Sequence, residues 1–226
     1  MKKPLIGIVA KPKLEADMWY YTEIVDDIRY KVIQNGGNAL GILPTNKTMT
    51  FKLDDELDKT ILSEEELTDL HDIIDKMYGI ILTGGLVSNN YEQEIASYCI
   101  KKDIPLIGIC AGFNNMIRAL GGKTHLDNSG LHKQYGSRIA HNIVINRDSK
   151  LYQILKNDNI MVNSIHTYVT TKEEVIGYEI AATCPIDNTI EAIEMPDKKF
   201  VMGIKWHPEL MDNMNEIFKS FIDNCH

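Results

Sequence analysis

A chain of 226 residues that is 44% hydrophobic has the length of one large α/β domain and enough apolar material for a core without disulfide or metal staples. Its 32 acidic and 24 basic side chains leave a net charge of −8, which argues against a nucleic-acid surface with its basic stripe. No apolar run is long enough to span a bilayer, and the opening Met1-Lys-Lys-Pro-Leu-Ile-Gly-Ile8 is interrupted by Lys11, Pro12 and Lys13 before it resembles a secretory signal, so a cytoplasmic protein is expected.

In chain order, Leu5–Ala10 predicts a buried strand, and Tyr21–Gln34 a helix with Ile24, Ile28 and Val32 on one face, ended by Gly36-Gly37. Ala39–Leu43 gives the next strand. Ser63 and Glu66 form a capping-box pattern for a helix reaching about Lys76, and Tyr78–Thr83 is a third strand closed by Gly84-Gly85. The acidic residues Asp54-Asp-Glu56, Asp58 and Glu64-Glu-Glu66 read as a solvated face and a helix N-terminus. A helix over Asn90–Lys101 leads into a strand ending at Cys110, and Asn115–Leu120 is helical again. Strands separated by such helices imply right-handed crossovers and a mostly parallel sheet with helices on both faces. Ile139–Ile145, Ile160–Asn163, Gly177–Thr183, Thr189–Glu194 and Phe200–Trp206 follow at short spacing and imply a small antiparallel extension, before a last helix over Asp212–Asp223 capped by Asp212. No repeat or linker divides the chain, so residues 1–226 are expected to form one domain.

Three segments are expected at the carboxyl ends of the strands, where open α/β sheets collect ligands. In Pro105-Leu-Ile-Gly-Ile-Cys110-Ala-Gly-Phe-Asn114, a thiol flanked by Gly108 and Gly112 stands at a strand-to-helix turn. Such a turn lifts the side chain clear of the sheet and sets it at the positive end of a helix, which favours thiolate. The same pattern also suits a small buried core cysteine. Leu82-Thr-Gly-Gly85 leaves backbone N–H groups unobstructed, as a ligand loop or as a plain surface turn. Gly203-Ile-Lys-Trp-His207-Pro-Glu209 ends a strand with an imidazole and a carboxylate two residues apart, as a functional pair or as a solvent-facing loop. A thiolate, an imidazole and an orienting carboxylate are the parts that acyl transfer requires. Cys99, Cys110, Cys184 and Cys225 show no CxxC pairing and no histidine at metal-ligand spacing, so neither disulfides nor a metal is expected on them.

With Pro4-Leu-Ile-Gly-Ile8, Tyr30, Asn35-Gly-Gly-Asn-Ala-Leu-Gly-Ile-Leu-Pro44, Leu82-Thr-Gly-Gly85, Gly108-Ile-Cys-Ala-Gly112, Ala119-Leu-Gly-Gly122, His141, Val162-Asn-Ser164 with His166, Ile190-Glu-Ala-Ile-Glu194 and Trp206-His-Pro-Glu209 in this order, the chain resembles the class I glutamine amidotransferase-like superfamily. Within it, the chain resembles the γ-glutamyl-γ-aminobutyrate hydrolase (peptidase C26) branch. The resemblance implies a flavodoxin-like α/β fold. It implies Cys110 as nucleophile, His207 as general base and acid, Glu209 as orienting carboxylate, and an oxyanion hole from the backbone of Gly84, Gly85 and Ala111. His166 falls at a substrate-pocket position, with a structural hydrogen-bonding histidine as the alternative, Asn114 at a substrate-pocket position and His141 at a structural one, and His71, His125, His132 and His226 carry no signal. Ala111 stands where the branch has arginine, Asn114 where it has glutamine, Leu86-Val-Ser-Asn89 where it has Asp-Ile and a proline, and Asn163-Ser-Ile-His-Thr-Tyr168 for Asn-Ser-x-His-His-Gln.

The implied function is hydrolysis of a small γ-glutamyl amide through a thioester on Cys110, without metal or organic cofactor. Two alternatives stand beside it. One is a glutaminase subunit delivering ammonia to a separate synthetase, the other a non-catalytic binding module on the same fold. The chain is further read as free of nucleic-acid and membrane partners and able to form a homo-oligomer.

Overall fold

The computed structural model describes residues 2–13, 21–46, 61–86 and 89–226. The elements run β1 (Leu5–Val9), β2 (Lys11–Lys13), β3 (Tyr21–Glu23), α1 (Asp26–Gln34), β4 (Asn38–Ile42), α2 (Glu64–Ile74), β5 (Gly79–Leu82), α3 (Asn90–Lys102), β6 (Leu106–Ile109) and α4 (Ala111–Ala119). They continue with β7 (His125–Leu126), β8 (His141–Ile145), α5 (Lys150–Leu155), β9 (Asn159–Val162), β10 (Tyr168–Val169), β11 (Glu179–Thr183), β12 (Ile190–Glu194), β13 (Val201–Ile204) and α6 (Asn215–Asp223).

A nine-stranded sheet in the order β4-β1-β5-β6-β13-β12-β11-β8-β9 carries the fold. β4, β1, β5, β6 and β13 are parallel to their neighbours, and the pairings from β13 through β12, β11, β8 and β9 are antiparallel. Strands buried on both faces read as unbroken apolar runs, as Gly79–Leu82, Leu106–Ile109 and Val201–Ile204 do. Period-two alternation then sends their side chains to two cores. Ile81, Ile107, Ile109, Met202 and Ile204 pack with Ile28 and Val32 of α1 and with Phe218 and Phe221 of α6. Ile80, Leu82, Leu106 and Val201 pack with Leu70 of α2, Ile95 of α3 and Phe113 and Ile117 of α4. Each such fully buried side chain contributes roughly 1.5–3 kcal/mol.

Local chemistry sets most element ends. Ser63 accepts from the N–H of Glu66 while the Glu66 carboxylate accepts from the N–H of Ser63, so the capping box predicted for α2 is formed. Glu64-Glu-Glu66 thus lies at a helix N-terminus, whereas Asp54–Glu56 and Asp58 lie outside the described residues. Several boundaries differ from expectation: α4 begins at Ala111 rather than Asn115 and β8 at His141 rather than Ile139. Tyr21–Glu23 is not the first turn of a helix but an extended segment paired antiparallel with Lys11–Lys13, and α1 starts at Asp26. Tyr and Thr favour a pleated ribbon once a partner strand is at hand, and Asp26-Asp27 suits the positive end of the helix dipole. Asp212 does not cap the last helix: Asp212–Met214 forms a 3-10 turn and α6 begins at Asn215. The antiparallel extension is present, but Phe200–Trp206 contributes its strand, β13, between β12 and the parallel β6. No helix among the described residues is long and apolar enough to cross a membrane.

Candidate active site

Parallel pairing of β5 and β13 on either side of β6 brings three strand ends together: Leu82 lies opposite Gly108, and Ile204 opposite Ile109. Beyond them stand the Gly84-Gly85 turn, Cys110 and His207. The tertiary fold thus joins the three segments that the sequence singled out.

Cys110 adopts φ 53° and ψ −101° at the N-terminus of α4, a conformation worth about 1–3 kcal/mol of strain in a residue with Cβ. Its N–H donates to Ile204 O at 2.8 Å, which pins the elbow to β13. Close packing does the rest. A Cβ on Gly112 would collide with the carbonyl oxygen of Leu82, so only glycine lets α4 begin this near β5. The thiol is buried, as the bland reading of a core cysteine requires, yet its surroundings are ionic.

His207 directs Nδ1 at Glu209 Oε1, 2.7 Å away, and both side chains are almost wholly enclosed. Burial raises the Cys110 thiol, but the charge and hydrogen bond of His207, with Lys205 nearby, outweigh it and leave the thiol below its ordinary value. Burial likewise opposes an imidazolium, yet the thiolate of Cys110 and then Glu209 hold His207 well above the ordinary histidine value. Each charge stabilises the other, and the pair favours thiolate–imidazolium over thiol–imidazole. The backbone of His207 is clamped as well: Asn163 Oδ1 accepts from its N–H and Asn163 Nδ2 donates to its carbonyl oxygen, both at 2.8 Å.

A cavity of about 230 Å³ opens over the thiol, lined by Gly85, Leu86, Cys110, Ala111, Asn114 and His166 among others, with Lys133 at its exposed rim. Val87 and Ser88, in the loop singled out for its departure from the branch, lie outside the described residues. Ala111 opens α4, so its N–H has no intrahelical acceptor. Gly84 does not line the cavity but lies against the His207 ring, where a Cβ would come within 2.7 Å of Cε1. Asn114 lines the cavity with its Oδ1 already accepting from Lys205 Nζ at 2.5 Å. Lys205 is fully buried, 5.3 Å from the Phe113 ring centroid, and its influence on Cys110 went unread in the sequence although a lysine inside Val201–Trp206 was the available signal.

His166 lines the cavity, but both its nitrogens are engaged within the protein: Nδ1 with Tyr168 O at 3.0 Å and Nε2 with Ser164 Oγ at 3.2 Å. Burial first, then Lys205 and His132, hold it well below the ordinary histidine value. It stacks on His132, which meets His141 edge-on, and all three imidazoles approach Glu191. These four residues are a group able to hold a metal ion. His132 carried no signal in the sequence, because its partners lie 9, 34 and 59 positions further on at 141, 166 and 191. His125 pairs with Glu174 and His71 with Glu94, both away from the cavity.

The family model for peptidase C26 matches residues 4–209. Among curated proteins, Protein NtpR of Enterococcus hirae is 29% identical over 97% of both chains. GMP synthase [glutamine-hydrolyzing] of Bacillus licheniformis is 30% identical over 82% of this chain, and that of Bacillus cereus 26% over 84%. The chain spans only about a third of those synthases, 34% and 35% of their lengths. Among solved structures, a candidate GMP synthase component from Thermoplasma acidophilum superposes with a TM-score of 0.67 at 14% identity, covering 98% of this chain and 94% of its own. The glutaminase domain of Trypanosoma brucei CTPS with bound acivicin gives 0.65 at 16%, covering 99% and 94%. At these identities the structures establish the shared fold.

Proposed function

The chain belongs to the peptidase C26 family, of the class I glutamine amidotransferase-like type, and from that premise we propose that it hydrolyses a γ-glutamyl amide or a related small amide through a thioester on Cys110. The observation that carries this reading is the meeting of a strained Cys110, its thiol held below the ordinary value by His207, with a His207 oriented by Glu209 at 2.7 Å.

In the proposed reaction the thiolate attacks the amide carbonyl carbon, a C–S bond forms, and the electron pair moves to the carbonyl oxygen. The N–H groups of Ala111 and of the Gly84-Gly85 turn receive that oxyanion, each contributing about 3 kcal/mol to the transition state. His207 gives a proton to the leaving nitrogen as the C–N bond breaks, and neutral His207 then takes a proton from water as it attacks the thioester. The acid product leaves with thiolate and imidazolium restored. Glu209 keeps the imidazole in one tautomer throughout. Lys133 at the rim supplies a cation for the carboxylate of a glutamyl group, and the modest cavity suits a small substrate. Residues 1–226 act in this scheme as one domain.

A second reading is a glutaminase unit that passes ammonia to a synthetase, favoured by relatives named as glutamine-hydrolyzing synthases. A panel of γ-glutamyl amides, glutamine included, tested with the purified chain separates the two. Turnover by the free chain supports direct hydrolysis. Glutaminase activity that appears only after a synthetase is added supports the second reading, and no turnover under either condition overturns both.

A further inference from the structure

His132, His141, His166 and Glu191 come from four separate stretches of chain, and all are buried. His132 Nδ1 lies 3.1 Å from His141 Nε2, while Glu191 Oε1 lies 3.5 Å from His132 Nδ1, 3.8 Å from His141 Nε2 and 3.7 Å from His166 Nε2. A tetrahedral ion with bonds of roughly 2.0–2.2 Å to N and O has ligand–ligand edges of about 3.3–3.6 Å.

The outer contacts fix the proton positions. A neutral imidazole carries one N–H, and an oxygen acceptor claims it. His141 Nδ1 donates to Asn142 O at 3.1 Å and His166 Nδ1 to Tyr168 O at 3.0 Å. His132 Nε2 donates to Asp187 Oδ2 at 2.9 Å. The other nitrogen of each ring therefore turns a lone pair toward Glu191. Neither oxygen of Glu191 has a hydrogen-bond donor. Ser164 Oγ is near His132 Nδ1 and His166 Nε2, each at 3.2 Å, but it holds one proton and also faces His132 O. Three lone pairs and a carboxylate thus converge with too few donors to satisfy them, and such a buried set is costly without a cation. Lys205, which also acts on Glu191, points Nζ to Asn114.

We propose that His132, His141, His166 and Glu191 form a closed, four-coordinate site for a divalent transition metal ion, with zinc the best match. Three imidazoles disfavour calcium and magnesium, which take oxygen ligands. Outward N–H groups held by a carboxylate and two backbone carbonyls are the arrangement that orients metal-bound histidines. With four protein ligands and no exposed face, the ion has a structural role. It ties β8 and β12 to the segment around His132 and to 163–168, whose Ile165, His166 and Thr167 line the cavity and whose Asn163 holds His207.

The test uses the full chain carrying Cys110→Ala, so that the reactive thiol cannot bind metal. The protein is unfolded with chelator, refolded with ZnCl2 or CoCl2, exchanged into metal-free buffer, and assayed by elemental mass spectrometry, visible absorption and thermal melting. One retained ion per chain is expected, with the visible bands of four-coordinate Co2+, no sulfur-to-cobalt charge transfer, and a higher Tm than the metal-free chain. His141→Ala and Glu191→Gln should lose the ion. A folded chain that retains neither metal overturns the proposal in favour of a proton shared through Glu191, and so does undiminished retention in His132→Ala/His141→Ala. If the variants do not fold, the Co2+ spectrum of the Cys110→Ala chain decides: bands of a six-coordinate or sulfur-ligated ion overturn the site.

Discussion

Asn163 holds both backbone polar groups of His207, donating to its carbonyl and accepting from its N–H at 2.8 Å each. The side chain of a residue 44 positions away thereby fixes where the candidate base begins its turn out of β13. Asn163→Ala leaves those two groups buried without partners, which costs about 2–4 kcal/mol. Turnover is expected to fall in kcat more than KM rises, because the imidazole and not the cavity is displaced. Equilibrium urea unfolding and steady-state kinetics on the same preparation check both parts. Unchanged kcat in a destabilised variant would show that Asn163 serves stability alone.

Cys110→Ala is expected to abolish turnover while leaving the circular dichroism spectrum and the Tm near wild type, since the elbow is built by Gly112 and β13 rather than by sulfur. In the native chain an electrophilic glutamine analogue should label Cys110 and spare the rest. Burial pushes Cys184 up to about 11 and Cys225 up to about 12, and Cys99 higher still, so each stays a thiol at neutral pH. Peptide mapping after brief labelling reads the outcome, and modification spread evenly over the four cysteines would overturn the assignment.

The pH profile follows from the two opposed shifts. Thiolate exists above the lowered Cys110 value and imidazolium below the raised His207 value, so kcat/KM should be bell-shaped between them. Glu209→Gln removes a charge that holds His207 up, so the alkaline limb should move to lower pH and kcat fall by roughly 10²- to 10⁴-fold. Lys205→Met removes a charge that holds Cys110 down, so the acidic limb should move to higher pH. Limbs that stay fixed in both variants would exclude this pair as the titrating groups.

Gly84→Ala puts a methyl group 2.7 Å from His207 Cε1 and 3.5 Å from Cys110 Cβ. Displacement of the imidazole by even a fraction of an ångström is expected to lower kcat/KM by about 10²-fold, with stability reduced by about 1–3 kcal/mol. Kinetics and thermal unfolding together measure this. Wild-type rates would mean that the turn shifts freely and does not set the geometry around the thiol.

Most of the framework was legible in the sequence because it depends on local or periodic signals. Apolar runs of four or five residues mark β1, β5 and β6, Ser63 and Glu66 mark the start of α2, and Gly108 and Gly112 mark the elbow. Tyr21–Glu23 departs from the helix its sequence suggests because its structure comes from a partner ribbon, Lys11–Lys13, which no local propensity encodes. The two-residue strands at His125–Leu126 and Tyr168–Val169 are too short to show a period.

The α/β class, the three chemical segments at strand ends and the family to which they point all follow from the order of residues. What those groups become depends on how the chain packs. β13 pairs antiparallel with β12 on one side and parallel with β6 on the other, and the second pairing brings His207 to Cys110. Neighbouring charges, working against burial, lower the Cys110 thiol and raise the His207 imidazole from their ordinary values. The same packing gathers His132, His141, His166 and Glu191 from positions up to 59 residues apart. Proximity in space and exclusion of water set the chemistry of ionisable side chains, and neither is written in the order of residues along the chain.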